Sequence, residues 1–196
     1  MQSTNSAQTE QQDDHQHQGA QGLLSPFLQR QRVRAAQGFM RGAVLDIGCG
    51  NGALAEHCNK AGYIGVDRDP ATLLMAKAHM PAYTFQPDMP EKSHVFDTIA
   101  ALAVIEHIAA PAKVLADWAE YMAPNGHMVL TTPKPAFEWV HEAGARIGLF
   151  SHDAAEEHET LIDEASMHEI AAEAGLDVEV YRSFLGGANQ LFVLKR

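Results

Sequence analysis

The sequence predicts an α/β fold: an open twisted sheet, mostly parallel, with helices on both faces and one antiparallel strand near the carboxyl terminus. Three observations carry this expectation. Short apolar runs alternate along the chain with amphipathic stretches, the pattern of strands connected by helical crossovers. The first apolar run opens directly into a turn with glycine at alternate positions, Gly48, Gly50 and Gly52. The last two strand-like runs are joined only by Leu185-Gly-Gly-Ala-Asn189, a link too short for a crossover, so they form a hairpin.

The elements follow in order. Residues 1–22 are rich in glutamine and poor in large apolar side chains. They bury too little surface to offset the entropy of ordering and are read as a disordered tail. Residues 23–196 are read as a single domain. Ser25-Pro26 is a helix start, and the helix runs toward Gly38. Residues 42–47 form the first strand, and a helix is expected over 52–61. Residues 63–66 form the second strand, and Asp69-Pro70 opens a helix that reaches Met80. A weak third strand is expected at 83–85 and a fourth at 96–102. A helix follows over 111–122, then a fifth strand over 127–132. Residues 136–149 and 164–174 read as helices, the second ended by Gly175. Strands at 178–184 and 190–194 close the chain.

Composition narrows the function. Apolar residues make up 46% of 196, an ordinary globular share. No run approaches the ~20 apolar residues that span a bilayer, so no membrane partner is expected. The formal charge of −11 disfavours nucleic acid, whose phosphates need clustered Lys and Arg. The two cysteines, Cys49 and Cys58, imply no disulfide framework and suit a reducing cytoplasm.

In open α/β sheets, ligands bind beyond the carboxyl ends of the strands, which points to the glycine turn. Its spacing is G-x-G-x-G, without the extra residue of the dinucleotide fingerprint and without a Lys-Ser or Lys-Thr pair for phosphates. Asp46 stands just before it, where an anion repels phosphate and favours an ammonium or sulfonium group. Asp67 ends the second strand, some twenty residues on, where an acidic residue holds ribose hydroxyls. These features describe a nucleoside with a cationic, unphosphorylated end.

VLDIGCGNG and YIGVDRDP resemble the first two motifs of class I S-adenosylmethionine-dependent methyltransferases. FDTIAALAVIEHI and MAPNGHMVLTTP resemble that family's fourth- and fifth-strand segments. The resemblance covers about residues 23–196 and implies a Rossmann-like sheet, S-adenosyl-L-methionine as cofactor and no metal. It further implies roles for particular residues. Gly48 and Gly50 let the loop approach the methionine portion, and Asp46 orients its ammonium group. Asp67 accepts from the ribose hydroxyls and Arg68 lies along the adenine. Asp88 meets the adenine amino group and the Met89 N–H a ring nitrogen. Leu102 and Ala103 form the floor, and Arg30 meets the cofactor carboxylate.

VIEHI and TTPKP resemble the small-molecule branch that includes the ubiquinone-pathway O-methyltransferases, in which the stretch corresponding to residues 135–163 covers the acceptor. The expected reaction is methyl transfer to a small molecule at oxygen. N- or C-methylation of a metabolite or a protein side chain, or cofactor binding without turnover, remain alternatives. Histidine is the natural base near neutral pH. His158 is the first candidate and His107 the second; His141 and His152 complete the set.

Overall fold

The computed structural model describes residues 25–135 and 162–196. Seven strands form one sheet in the order β3-β2-β1-β4-β5-β7-β6. They are β1 (Val44–Ile47), β2 (Tyr63–Val66), β3 (Thr84–Gln86), β4 (Phe96–Leu102), β5 (Met122–Pro133), β6 (Asp177–Phe184) and β7 (Asn189–Lys195). The first five pair in parallel, and β7 runs antiparallel to both β5 and β6. The hairpin thus supplies the antiparallel strand. Among the described residues the α-helices are α1 (Ser25–Ala36), α2 (Pro70–His79), α3 (Pro111–Ala119) and α4 (Glu164–Glu173).

Side-chain alternation assigns the two faces. Leu45, Ile47, Ile99, Ala101, Met128 and Leu130 pack on one face with Leu115 and Trp118 of α3 and Met167 and Ala171 of α4. On the other face Val44, Tyr63 and Phe85 meet Leu73 and Ala76 of α2, while Val129, Leu191 and Val193 meet Ala36 of α1. Helix starts follow local chemistry. Asp69 caps α2 by accepting from the N–H groups of Ala71 and Thr72, and Asp163 and Ser166 form a reciprocal capping box on α4.

Two expected helices differ in the structure. Residues 52–61 form only two 3-10 turns, Ala55–His57 and Lys60–Gly62. Gly52 sits at φ +81°, outside helical space. Cys58 is extended, and the Asn59 side chain accepts from the Ala61 N–H, competing with a helical ladder. The α3 helix stops at Ala119 rather than residue 122, because Phe96 N–H donates to the Tyr121 carbonyl and Met122 pairs with Phe96 in the sheet. That pairing also starts β5 five residues early. The tail to residue 22, the helix expected at 136–149, and His141, His152 and His158 lie outside the described residues.

Candidate active site

The strands β1, β2 and β4 end side by side. Register pairs Ile47 with Val66 on one side and with Ala101 on the other. Beyond these ends lies a cavity of about 930 Å³. Its wall is formed by Gly48 from the glycine turn, Asp67 and Arg68 after β2, Met89 after β3, and Ala103, Val104 and His107 after β4. Trp118 and Tyr121 close the α3 side.

The turn departs sharply from β1. Gly48 is at φ +68° and Gly50 at φ +54°, a region costly for residues with a Cβ. A Cβ on Gly48 would come within 2.5 Å of Val104 Cγ2, so the turn is packed directly against the residues following β4. Ala103 itself has φ +59°, and its N–H donates to the Thr131 carbonyl at 2.8 Å.

The destination of the turn's N–H groups decides what the cavity can hold. Gly48 and Cys49 both donate to the Val66 carbonyl, at 2.8 and 3.0 Å, and Gly52 donates to the Cys49 carbonyl at 3.0 Å. Gly50 donates to Asp67 Oδ2 at 2.9 Å. Phosphate-binding turns aim such groups at the ligand; here they are spent on β2, on Asp67 and within the turn. Asp67 also accepts from the Asp69 N–H through Oδ1, at 3.0 Å. Each carboxylate oxygen has a second lone-pair direction, so a half-buried Asp67 on the cavity wall can still accept from a diol. The donor set therefore fits an unphosphorylated nucleoside, and S-adenosylmethionine is one.

The family comparison agrees, matching residues 15–180 to the methyltransferase domain. The chain belongs to the methyltransferase domain family. Its fold and its cofactor, S-adenosylmethionine, are those of the class I enzymes. The domain is 28% identical over 120 residues to the ubiquinone biosynthesis O-methyltransferase of Aliivibrio fischeri, covering 56% of this chain and 51% of that protein. It is 32% identical over 99 residues to the protein of that name from Azorhizobium caulinodans, covering 45% and 39%. The chain thus spans about half the length or less of these curated relatives. Among solved structures, an S-adenosylmethionine-dependent methyltransferase from Mesorhizobium loti superposes with a TM-score of 0.64 at 16% identity, covering 89% of this chain and 98% of that one. The mitomycin 7-O-methyltransferase MmcR superposes with a TM-score of 0.65 at 16% identity, covering 88% and 54%.

The methyltransferase domain brings together Gly48, Asp67, Arg68, Met89, Ala103 and His107 on one cavity wall. Gly50 stands behind that wall, tied to Asp67. Four expected site residues lie elsewhere. The Asp46 carboxylate is buried, 2% exposed, and accepts from the Tyr63 hydroxyl at 2.7 Å; it faces the α2 core. Burial pushes its pKa from 3.8 up to about 7, against the lowering effect of the Tyr63 hydrogen bond, and the Asp67 charge adds to the rise. Asp88 is exposed, and its carbonyl accepts from Gln86 Nε2 at 2.6 Å. Leu102 packs on α1 beside Val33 and Ala100. Arg30 lines a separate groove outside the turn.

Several residues that shape the site carry no local signal in the sequence. Gln29 and Asn51 exchange amide hydrogen bonds at 2.9 and 3.4 Å, pinning α1 to the glycine turn. Arg32, not Arg30, reaches the carboxyl edge of the sheet, where its Nε donates to Asn189 Oδ1 at 3.2 Å. The i, i+2 spacing of the two arginines signals that they lie on different helix sides, but not which one faces the sheet. His127 is buried and structural. Its Nε2 lies 2.7 Å from the Phe39 carbonyl and its Nδ1 3.3 Å from Arg41 Nη2, and burial holds its pKa below the usual value.

Proposed function

We propose that this domain transfers the methyl group of S-adenosylmethionine to the oxygen of a small-molecule acceptor. One observation carries the reading: His107 stands on the same cavity wall as Asp67 and the glycine turn. The cofactor supplies an electrophilic methyl group on a sulfonium, and the chain's residues hold and orient what reacts with it. In this reading Asp67 accepts from the ribose hydroxyls. Arg68 and Met89 flank the base. Gly48 and Gly50 keep the turn free of side chains beside the methionine portion. Ala103 and Val104 exclude water from the reacting face, and alignment supplies much of the acceleration. His107 takes the hydroxyl proton as the acceptor oxygen becomes nucleophilic.

One further point supports a small acceptor. The curated relatives above are named as O-methyltransferases of ubiquinone biosynthesis. Among the described residues, no helix is long and apolar enough to cross a membrane.

The test supplies methyl-labelled S-adenosylmethionine with a panel of phenols, hydroxylated metabolites, amines and carbon acids. Label on oxygen in a small product, with stoichiometric S-adenosylhomocysteine, supports the reading. Label on nitrogen or carbon moves the acceptor atom. Tight cofactor binding without S-adenosylhomocysteine from any acceptor favours a binding protein without turnover.

A further inference from the structure

On the far side of the glycine turn from the cavity lies a second depression, of about 610 Å³. Three separate elements supply its walls: α1, the turn leading into the first 3-10 segment, and the carboxyl end of α2. Four basic side chains, all exposed, line it: Arg30 and Arg34 from α1, His57 from the 3-10 turn and His79 from α2. Glu56 is the single carboxylate among the lining residues, and Val33, Ala53 and Met80 give an apolar floor.

This concentration runs against the rest of the molecule. The chain holds 25 acidic and 14 basic Lys and Arg residues, yet α1, SPFLQRQRVRAA, contains three arginines and no acid. Arg30 and Arg34 are one helical turn apart, so their like charges meet on one face and oppose the helix. Among the described residues neither has an ion-pair partner within 4.0 Å, and Glu56 pairs with neither arginine nor with His57 or His79. An anion set between the four would relieve that repulsion through charge-assisted bonds, which arginine forms in pairs with phosphate or carboxylate oxygens.

We propose that this groove is a binding site for a small polyanion, a phosphate ester or a polycarboxylate. The occupant is small for two reasons. The volume holds a compact metabolite, and the net charge of −11 repels a long polyanion wherever it leaves the groove. The site is independent of the methyl-transfer cavity, although the two share the glycine turn as a wall: Asn51 lines the groove while Gly48 lines the cavity.

The experiment titrates inorganic pyrophosphate, and separately citrate, into the full chain already saturated with S-adenosylhomocysteine, so that the cavity is filled. Calorimetry should give saturable one-to-one binding of at least one of the two. The double variant Arg30→Gln/Arg34→Gln should weaken it at least about tenfold. Lys113→Gln, an exposed charge removed on α3, should leave it unchanged. Preference for pyrophosphate assigns the site to phosphate esters, and preference for citrate to polycarboxylates. His79→Gln alone, on α2, should weaken the same binding and keeps the test open if the double variant misfolds. The proposal is overturned if neither anion binds below 10 mM (roughly the weak limit of specific association), or if binding survives the arginine changes or falls equally with Lys113→Gln.

Discussion

The hydroxyl of Tyr63 donates to the buried carboxylate of Asp46 across the β1–β2 pair, at 2.7 Å. The register explains how it reaches. Asp46 stands opposite Gly65, and a Cβ on Gly65 would lie 2.9 Å from the Tyr63 oxygen. The missing side chain therefore lets the phenol lie along its own strand and meet the carboxylate. Burial, then the Asp46 charge, push the Tyr63 pKa well above its ordinary range, so the phenol keeps its proton and remains the donor.

Asp46 should make stability fall with rising pH. Its pKa is about 7 in the folded chain against 3.8 ordinarily. Between those values the folded state keeps a proton that the unfolded state has released. The contribution is therefore complete below pH 4, declines as pH climbs toward 7, and changes no further above it. The span is on the order of 4 kcal/mol. Urea denaturation at intervals from pH 4 to 8 should show this slope, and Asp46→Asn should flatten it.

Tyr63→Phe removes the hydrogen bond that lowers the Asp46 pKa while the burial remains. The variant should lose about 1–3 kcal/mol of stability at pH 8, where the carboxylate is charged, and less at pH 5. Its pH midpoint should move upward. An equal loss at both pH values would mean that the ring's packing matters rather than its hydroxyl.

Asp67→Ala takes the acceptor away from the Gly50 and Asp69 N–H groups as well as from a bound nucleoside. Affinity for S-adenosylhomocysteine should drop roughly tenfold to a hundredfold, the size of one or so charge-assisted hydrogen bonds. Asp67→Asn keeps one oxygen acceptor and should fall between the two. Calorimetry measures both variants, and unchanged affinity would remove Asp67 from the site.

Gly48→Ala meets two penalties, a left-handed φ of +68° and a contact with Val104 Cγ2. The conformational cost alone is about 1–2 kcal/mol, and the clash pushes the turn into the cavity or Val104 out of it. Melting temperature and S-adenosylhomocysteine affinity should therefore fall together.

His107→Ala tests the base. Turnover on a responsive hydroxyl acceptor should fall roughly 10²–10⁴-fold, while S-adenosylhomocysteine affinity shifts only a few-fold. A loss shared equally between acceptor KM and kcat would make His107 a wall of the site rather than its base.

What the sequence determined by itself is the part of this protein written in local chemistry. β4 over Phe96–Leu102, β2 over Tyr63–Val66 and the Asp69-Pro70 helix start are set by neighbouring residues, as is the glycine turn. Asp67 is legible for the same reason, since the last residue after a short strand must face the edge where ligands bind. Tertiary structure alone decided the rest. Whether Asp46 turns to a ligand or to the core depends on Gly65 leaving room for Tyr63, seventeen positions away. The destinations of the turn's N–H groups depend on Val66 and Asp67 arriving beside it in register. The end of α3 depends on Phe96 recruiting Tyr121 and Met122 into the sheet, and the separation of Arg30 from Arg32 on how α1 is rolled against β7. Each of these is a contact between segments distant in sequence. Hydrogen bonds and burial are settled by which strand lies alongside which, and no window of neighbouring residues contains that information.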